Sequence, residues 1–115
     1  MVKQGHIIWL DFDPQIGHEQ KSKRPALVVS NETFNNFSNL AIVCPITNTN
    51  KDYPFHVKLD ERTKTKGVIL SDQARTLDIE ARNYEIIEKV HDDILLEVID
   101  IINGFIEVEK YKAKP

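Results

Sequence analysis

The sequence predicts a mainly β domain with a C-terminal helix (α+β), arranged as a small, strongly bent antiparallel sheet or partly open barrel. Three observations predict it. The 115 residues suffice for one domain with one modest core, so residues 1–115 are expected to form a single domain. As far as residue 90, short β-branched and aromatic segments alternate with turns. Over residues 92–109 the apolar period changes to three and four, which is typical of a helix.

The predicted strands follow in order along the chain. In the first, residues 5–12, Ile8, Leu10 and Phe12 fall on one face. The second, residues 26–31, opens with four apolar residues and is expected to be buried on both faces. The remaining segments are 40–47, 55–59, 68–76 and, as a short sixth candidate, 84–90.

The apolar stripe of residues 92–109 is broader than one core contact requires, because isoleucines extend it on both sides. Asp92 or His91 can cap its start, and Gly104 costs roughly 1 kcal/mol inside a helix unless something packs closely against it. Two interpretations follow. Either the helix is unusually buried, or part of it meets a second subunit.

Composition and charge exclude several classes of protein. No apolar run reaches the ~18 residues of a membrane span, and the N-terminus lacks the apolar segment of a secretory signal, so a cytoplasmic protein is expected. The single cysteine, Cys44, allows neither an intrachain disulfide nor a thiolate cage for a metal.

The net charge is −3, but residues 1–77 carry ten Lys/Arg against eight Asp/Glu. A polyanion should therefore approach this part of the chain, where residues 21–24 and 62–66 are basic, although two solvated loops would have the same composition.

One long polar loop before residue 25 carries the first candidate site. A carboxylate, an imidazole and a guanidinium stand close together there and could move protons and hold a phosphate without a metal. Arg24 precedes Pro25, which favours an extended backbone and so a rigid position. The alternative is an ordinary surface ion pair. The loop's candidate residues are His18, Glu19, Gln20, Lys21, Lys23 and Arg24.

Three further places could bind a substrate. Thr47 ends the third strand, where its hydroxyl could reach a phosphate or simply complete a turn. Asp72 and Gln73 are expected inside the fifth strand, where a polar pair needs hydrogen bonds or a groove. Tyr53 and Phe55 are the better candidates for stacking unpaired bases. The three other histidines, His6, His56 and His91, lack metal-ligand spacing and are interpreted as surface or hydrogen-bonded residues.

Taken in order, these elements resemble the MazF/PemK family of toxin endoribonucleases. The resemblance covers about residues 5–106. It rests on WLDFDP, on Gly17-His18-Glu19-Gln20 followed by Arg24-Pro25-Ala26, on Pro45-Ile46-Thr47, on Tyr53-Pro54-Phe55, and on Gly67-Val68 before Asp72-Gln73-Ala74-Arg75. It implies the SH3-like barrel of the CcdB/PemK toxins and a homodimer. It also implies cleavage of single-stranded RNA without cofactor or metal, and inhibition by a cognate antitoxin, whose disordered acidic tail would occupy the RNA groove. No membrane is implied, and DNA only indirectly, through an antitoxin complex.

The resemblance also implies roles for individual residues. Glu19, Arg24 and Thr47 match the family's catalytic positions, and His18, Gln20, Lys21, Lys23, Asp72 and Gln73 are expected to contact substrate. The chain mixes two branches: His18 resembles the PemK branch, whereas Leu70 stands where that branch has an arginine. Two other classes compete with the nuclease: a CcdB-like toxin that acts on DNA gyrase, and a binding module without catalysis.

Overall fold

The computed structural model describes residues 2–12, 23–49 and 52–109. Seven strands and two helices follow one another, with 3-10 turns at Ser71–Gln73 and Ile79–Arg82. In chain order the elements are β1 (His6–Asp11), β2 (Lys23–Val28), α1 (Glu32–Ser38), β3 (Ala41–Thr47), β4 (His56–Lys58), β5 (Val68–Leu70), β6 (Arg75–Leu77), β7 (Glu85–Lys89) and α2 (Asp92–Phe105).

The strands form one curved antiparallel sheet in the order β4-β5-β3-β2-β1-β7, with β6 also paired to β3. Strand β3 is shared, because its first half pairs with β6 and its last two residues, Ile46 and Thr47, pair with β5. The predicted bent sheet with a C-terminal helix is therefore confirmed.

Alternate residues of the central strands fill two cores on opposite faces of the sheet. Ile7, Leu27 and Cys44 pack toward α2, whose Ile94 and Val98 complete that cluster. The other cluster lies on the opposite face and consists of Val2, Ile8, Leu10, Ala26, Val28, Ala41, Val43, Leu77 and Ile79, with Phe12 packed against it. Residues 26–28 of β2 are thus buried on both faces, as predicted for that segment, whereas residues 23–25 are not, and Ile8, Leu10 and Phe12 lie on one face of the sheet.

Several predicted boundaries were wrong. The expected strand 68–76 is two short strands separated by the turn Ser71–Gln73, and β2 begins at Lys23 rather than at residue 26. Helix α1 was missed because seven residues, ETFNNFS, are too few for a helical period to stand out. The sequence nevertheless held a signal for its start, because asparagine is a favoured N-cap residue and Asn31 accepts a hydrogen bond from Phe34 N in that role.

Helix α2 ends at Phe105, earlier than the predicted 109, and His91 is its N-cap without a side-chain hydrogen bond. It is not buried throughout, because Leu96 and Phe105 are 61% and 44% exposed. Among the described residues nothing lies within 4 Å of a Cβ placed at Gly104, so none of them packs closely enough to compensate for that glycine. In the described part of the chain, neither helix has the length and apolar character needed to span a membrane.

Candidate active site

The predicted site residues divide between the described residues and the segment 13–22, which lies outside them. Arg24 and Lys23 begin β2, and Thr47 ends β3. Asp72 and Gln73 lie in the turn after β5. The other four, His18, Glu19, Gln20 and Lys21, lie outside the described residues.

Arg24 occupies the rigid position that was predicted for it. It pairs with Leu10 of β1, and the following Pro25 pairs with Trp9, so the backbone at Arg24 belongs to the sheet while its side chain is exposed. The β2–β3 ladder pairs Ala26 with Pro45 and Val28 with Val43. Continued two residues past its last pair, this register sets Arg24 opposite Thr47. Arg24, near the start of β2, and Thr47, at the end of β3, therefore lie at the same end of two neighbouring strands.

Thr47 is held by contacts on both sides of its backbone. Its Oγ1 accepts a hydrogen bond from Thr49 N at 3.3 Å, which leaves the hydroxyl hydrogen available for donation to a ligand. Thr47 pairs with Val68 of β5, and Gly67 lies directly against it: a Cβ at Gly67 would be 2.2 Å from the Thr47 carbonyl oxygen. Gly67 has φ +119°, which only glycine adopts readily. The glycine is needed for this close approach.

A groove lies beside Thr47 on the same face of the sheet. Lys58 and Thr47 both pair with Val68, so their side chains project to one face. The groove has a volume of about 570 Å³ and is lined by Asp52, Tyr53, Pro54, His56, Lys58, Val68 and Glu97. The Tyr53 ring is 44% exposed and meets the edge of Phe55 at a centroid distance of 5.3 Å. An exposed ring on a fixed support suits the predicted stacking role, which stays a prediction.

His56 was misjudged from the sequence. Its Nε2 lies 3.9 Å from Asp72 Oδ1, and its Nδ1 is buried without a hydrogen-bond partner among the described residues. It is therefore not a satisfied surface histidine. The alternation of FHVKL, which places His56 and Lys58 on one face, was the signal that could have identified it.

Asp72 and Gln73 are exposed in a 3-10 turn, not enclosed in a strand as predicted. The turn is fixed at its start, since Ser71 N donates to Phe55 O at 3.2 Å. Asp72 lies 3.9 Å from His56, which lines the groove, and its carboxylate is the more exposed of the two side chains.

Two arginines fix the end of β1. Arg82 Nη1 donates to the carbonyl oxygens of Asp11 and Phe12 at 3.1 and 2.7 Å. The Arg75 guanidinium lies 5.5 Å from the centroid of the Phe12 ring, a cation–π distance. Arg82 was missed, because no local pattern shows that a residue 70 positions away will cap these carbonyls.

The second predicted basic segment is partly neutralised. Arg62 is hydrogen-bonded to both Asp60 and Asp93, at 2.8 and 2.9 Å from its Nη2. These contacts lower the pKa of Asp60 to about 2. The guanidinium is thus engaged within the protein, while Lys64 and Lys66 remain exposed.

Comparison with known proteins agrees with this geometry. Residues 3–106 match the sequence profile of a family described as PemK-like, MazF-like toxin of type II toxin-antitoxin system. The chain is 37% identical over 102 residues to Endoribonuclease PemK of Escherichia coli, covering 85% of this chain and 77% of that protein. It is 41% identical over 78 residues to Endoribonuclease toxin MazF of Escherichia coli strain K12, covering 68% and 69%.

Solved structures give the same result. The crystal structure of MazF from Deinococcus radiodurans (Form-I) superposes with a TM-score of 0.82 at 38% identity, covering 93% of this chain and 97% of that one. A MazE-MazF structure (Form-II) from the same organism superposes with a TM-score of 0.80 at 33% identity, covering 93% and 96%. Because sequence and fold agree over nearly its whole length, this chain belongs to the PemK/MazF family of toxins of type II toxin–antitoxin systems.

Proposed function

We propose that this chain is a sequence-specific endoribonuclease that cleaves single-stranded RNA without a metal ion or cofactor. The observation that carries the proposal is the register of β2 and β3, which when continued sets Arg24 opposite Thr47 at one end of adjacent strands, near a groove lined by the exposed Tyr53. The curated relatives are named endoribonucleases, which supports the same activity. RNA suits such a site because it brings its own nucleophile, the 2′-hydroxyl.

The reaction needs a general base, donors that stabilise negative charge, and a general acid from the protein. A base removes the proton of the 2′-hydroxyl, whose oxygen attacks the adjacent phosphorus. Donors stabilise the extra negative charge on the phosphorane. The bond from phosphorus to the 5′-oxygen then breaks, and an acid protonates that oxygen. The products are a 2′,3′-cyclic phosphate and a 5′-hydroxyl end, and no redox partner is required.

Glu19 serves as the general base or orients the base, Arg24 binds the developing charge, and Thr47 donates to a non-bridging oxygen. A guanidinium can contact two phosphate oxygens at once, which fits Arg24 for charge stabilisation. A guanidinium stays protonated in proteins, so it is a poor proton donor. An imidazole exchanges protons readily near neutral pH, so His18 is the better general acid.

The groove beside Thr47 suits unpaired bases. A duplex hides the base edges that carry sequence information, so the substrate is single-stranded. Tyr53 offers a stacking surface, and Lys23 attracts the phosphate backbone. The other expected substrate contacts are His18, Gln20, Lys21, Asp72 and Gln73.

Two protein partners complete the proposal. The exposed side chains of α2 and its end, Leu96, Phe105 and Ile106, form the interface of a homodimer, since apolar patches of this kind mark interaction surfaces. A cognate antitoxin binds the toxin, as in the MazE-MazF structures of a relative, and its acidic disordered tail covers the groove. The complex works in the cytoplasm, and DNA is contacted only through the antitoxin.

The test incubates purified protein with an unstructured RNA of mixed sequence in EDTA and maps the fragment ends chemically. We expect cuts at a recurring motif that leave cyclic phosphate and 5′-hydroxyl ends. R24A and T47A should each lower the rate by about 100-fold or more, the effect of removing one donor to a transition-state oxyanion. E19A should be equally damaging.

The matched control is K3A, because Lys3 is an exposed cation at the opposite end of β1 from Arg24. It should cleave like the unmodified chain. Intact RNA beside a folded dimer would contradict the proposal and direct the search to gyrase poisoning or to binding without catalysis.

A further inference from the structure

We propose that Glu88 of β7 is a positioning residue for RNA cleavage, acting on Thr47 through the loop formed by residues 60–67. Nothing places Glu88 in contact with substrate, so its effect is indirect. The inference rests on the proposed function, because it assumes that Thr47 contacts the reacting phosphate. The contacts that carry it run from Glu88 to the loop, and from the end of the loop to Thr47.

Glu88 holds the middle of the loop with both carboxylate oxygens. Its Oε1 accepts from Lys64 N at 3.0 Å, and its Oε2 accepts from Thr65 N at 2.8 Å and from Thr65 Oγ1 at 2.7 Å. Burial opposes ionisation of Glu88, but the hydrogen bonds from Thr65 and Lys64 outweigh it and lower the carboxyl pKa. These are charge-assisted bonds, the stronger kind in proteins.

The anchor itself is fixed, because Glu88 pairs with Ile7 of β1 in the sheet. A loop attached to this carboxylate is attached to the framework of the protein. The loop is also braced internally: Thr63 is buried, and its Oγ1 donates to Thr65 O at 2.8 Å. A displacement of Thr65 is therefore transmitted along the loop.

The end of the loop touches the backbone of Thr47. Leu59 N donates to Gly67 O at 2.9 Å, and Gly67 lies so close to the Thr47 carbonyl that not even a methyl group fits between them. Atoms in such close contact cannot move independently. Glu88 therefore fixes Thr65, the braced loop fixes Gly67, and Gly67 fixes the strand end that presents the Thr47 hydroxyl.

E88Q tests this directly. The glutamine has the same shape, but its NH2 group cannot accept from the loop N–H donors. We expect kcat for RNA cleavage to fall about 10- to 100-fold, since a small misplacement of a contacting group has that effect. KM should change by less than about twofold. The matched control is E85Q, because Glu85 is exposed on the same strand and loses the same charge. It should behave like the unmodified chain.

A double mutant separates positioning of Thr47 from general damage. If Glu88 acts through Thr47, E88Q should slow T47A no further in single-turnover assays, because the group it positions is already absent. T65V provides a milder change that removes one donor to Glu88 and keeps the side-chain shape. It should lower kcat by about tenfold, the low end of the worth of one hydrogen bond to a charged group.

Two results would overturn the inference while leaving the proposed function intact. In the first, the parent chain cleaves RNA and E88Q is equally active. In the second, E88Q slows T47A as strongly as it slows the parent. If E88Q does not fold, the same two comparisons with T65V decide. If neither the parent chain nor E85Q cleaves RNA, the proposed function is overturned, and the inference with it.

Discussion

Replacing Gly67 by alanine tests the close approach that supports Thr47. The glycine has φ +119°, and an alanine Cβ would lie 2.2 Å from the Thr47 carbonyl oxygen. A conformation reserved for glycine costs an ordinary residue about 1–3 kcal/mol. Relieving a clash with backbone adds about 1–3 kcal/mol, as in overpacked cores. We therefore expect the free energy of unfolding to fall by about 3 kcal/mol or more, which lowers Tm by about 12 °C in a domain of this size.

The assay is thermal unfolding followed by circular dichroism, at one protein concentration for all variants because an oligomer's stability depends on it. The matched control is G104A, where an added Cβ meets nothing within 4 Å. Alanine is the better helix former, so G104A should gain about 0.5–1 kcal/mol and raise Tm. A G67A protein that melts within about 3 °C of the parent would refute the close approach.

Three further predictions concern stability and reactivity. Burial, with Asp72 nearby, raises the pKa of the Cys44 thiol to about 12, so a thiol reagent at pH 8 should label the chain only after urea unfolds it. Hydrogen bonding to Arg62 lowers the pKa of Asp60 from 3.8 to about 2, and a depressed carboxyl pKa stabilises the fold above about pH 4 and loses that effect as pH falls toward 2. The urea midpoint of R62A should therefore fall less than that of the parent between about pH 5 and pH 2, and equal slopes would count against the pairing. Asn35 is buried and hydrogen-bonded to Ser30, so N35A should lose about 2–3 kcal/mol in urea unfolding, whereas the exposed neighbour Asn36 should tolerate alanine.

Strands with a strong apolar signal were predictable from the sequence. The central segments are buried on both faces, so their composition alone indicated β1, β2 and β3. The break at Ser71 was not predictable, because VILSDQART reads as one extended run and the turn depends on Phe55, which is distant in sequence. Helix α1 is too short for periodicity, although its capping asparagine was a usable signal.

The candidate site was predictable only in part. Arg24 and Thr47 could be placed because each sits at a strand end defined by its own local sequence. The roles of Gly67, Arg82 and Glu88 were not predictable, since each depends on a contact with a residue far along the chain. The ion pair between Arg62 and Asp93 was not predicted for the same reason, because the two residues are 31 positions apart.

The pairing of β1 with β7 has a consequence for synthesis on the ribosome. About 40 residues separate Thr47 from the start of β7, and at ~5–20 residues per second their translation takes about 2–8 s. During that interval Arg24 and Thr47 already exist, but β1 has no partner on its outer edge and Glu88 has not yet been made. A nascent or truncated chain ending before residue 85 therefore lacks the strand that covers the outer edge of β1 and the carboxylate that holds the loop formed by residues 60–67.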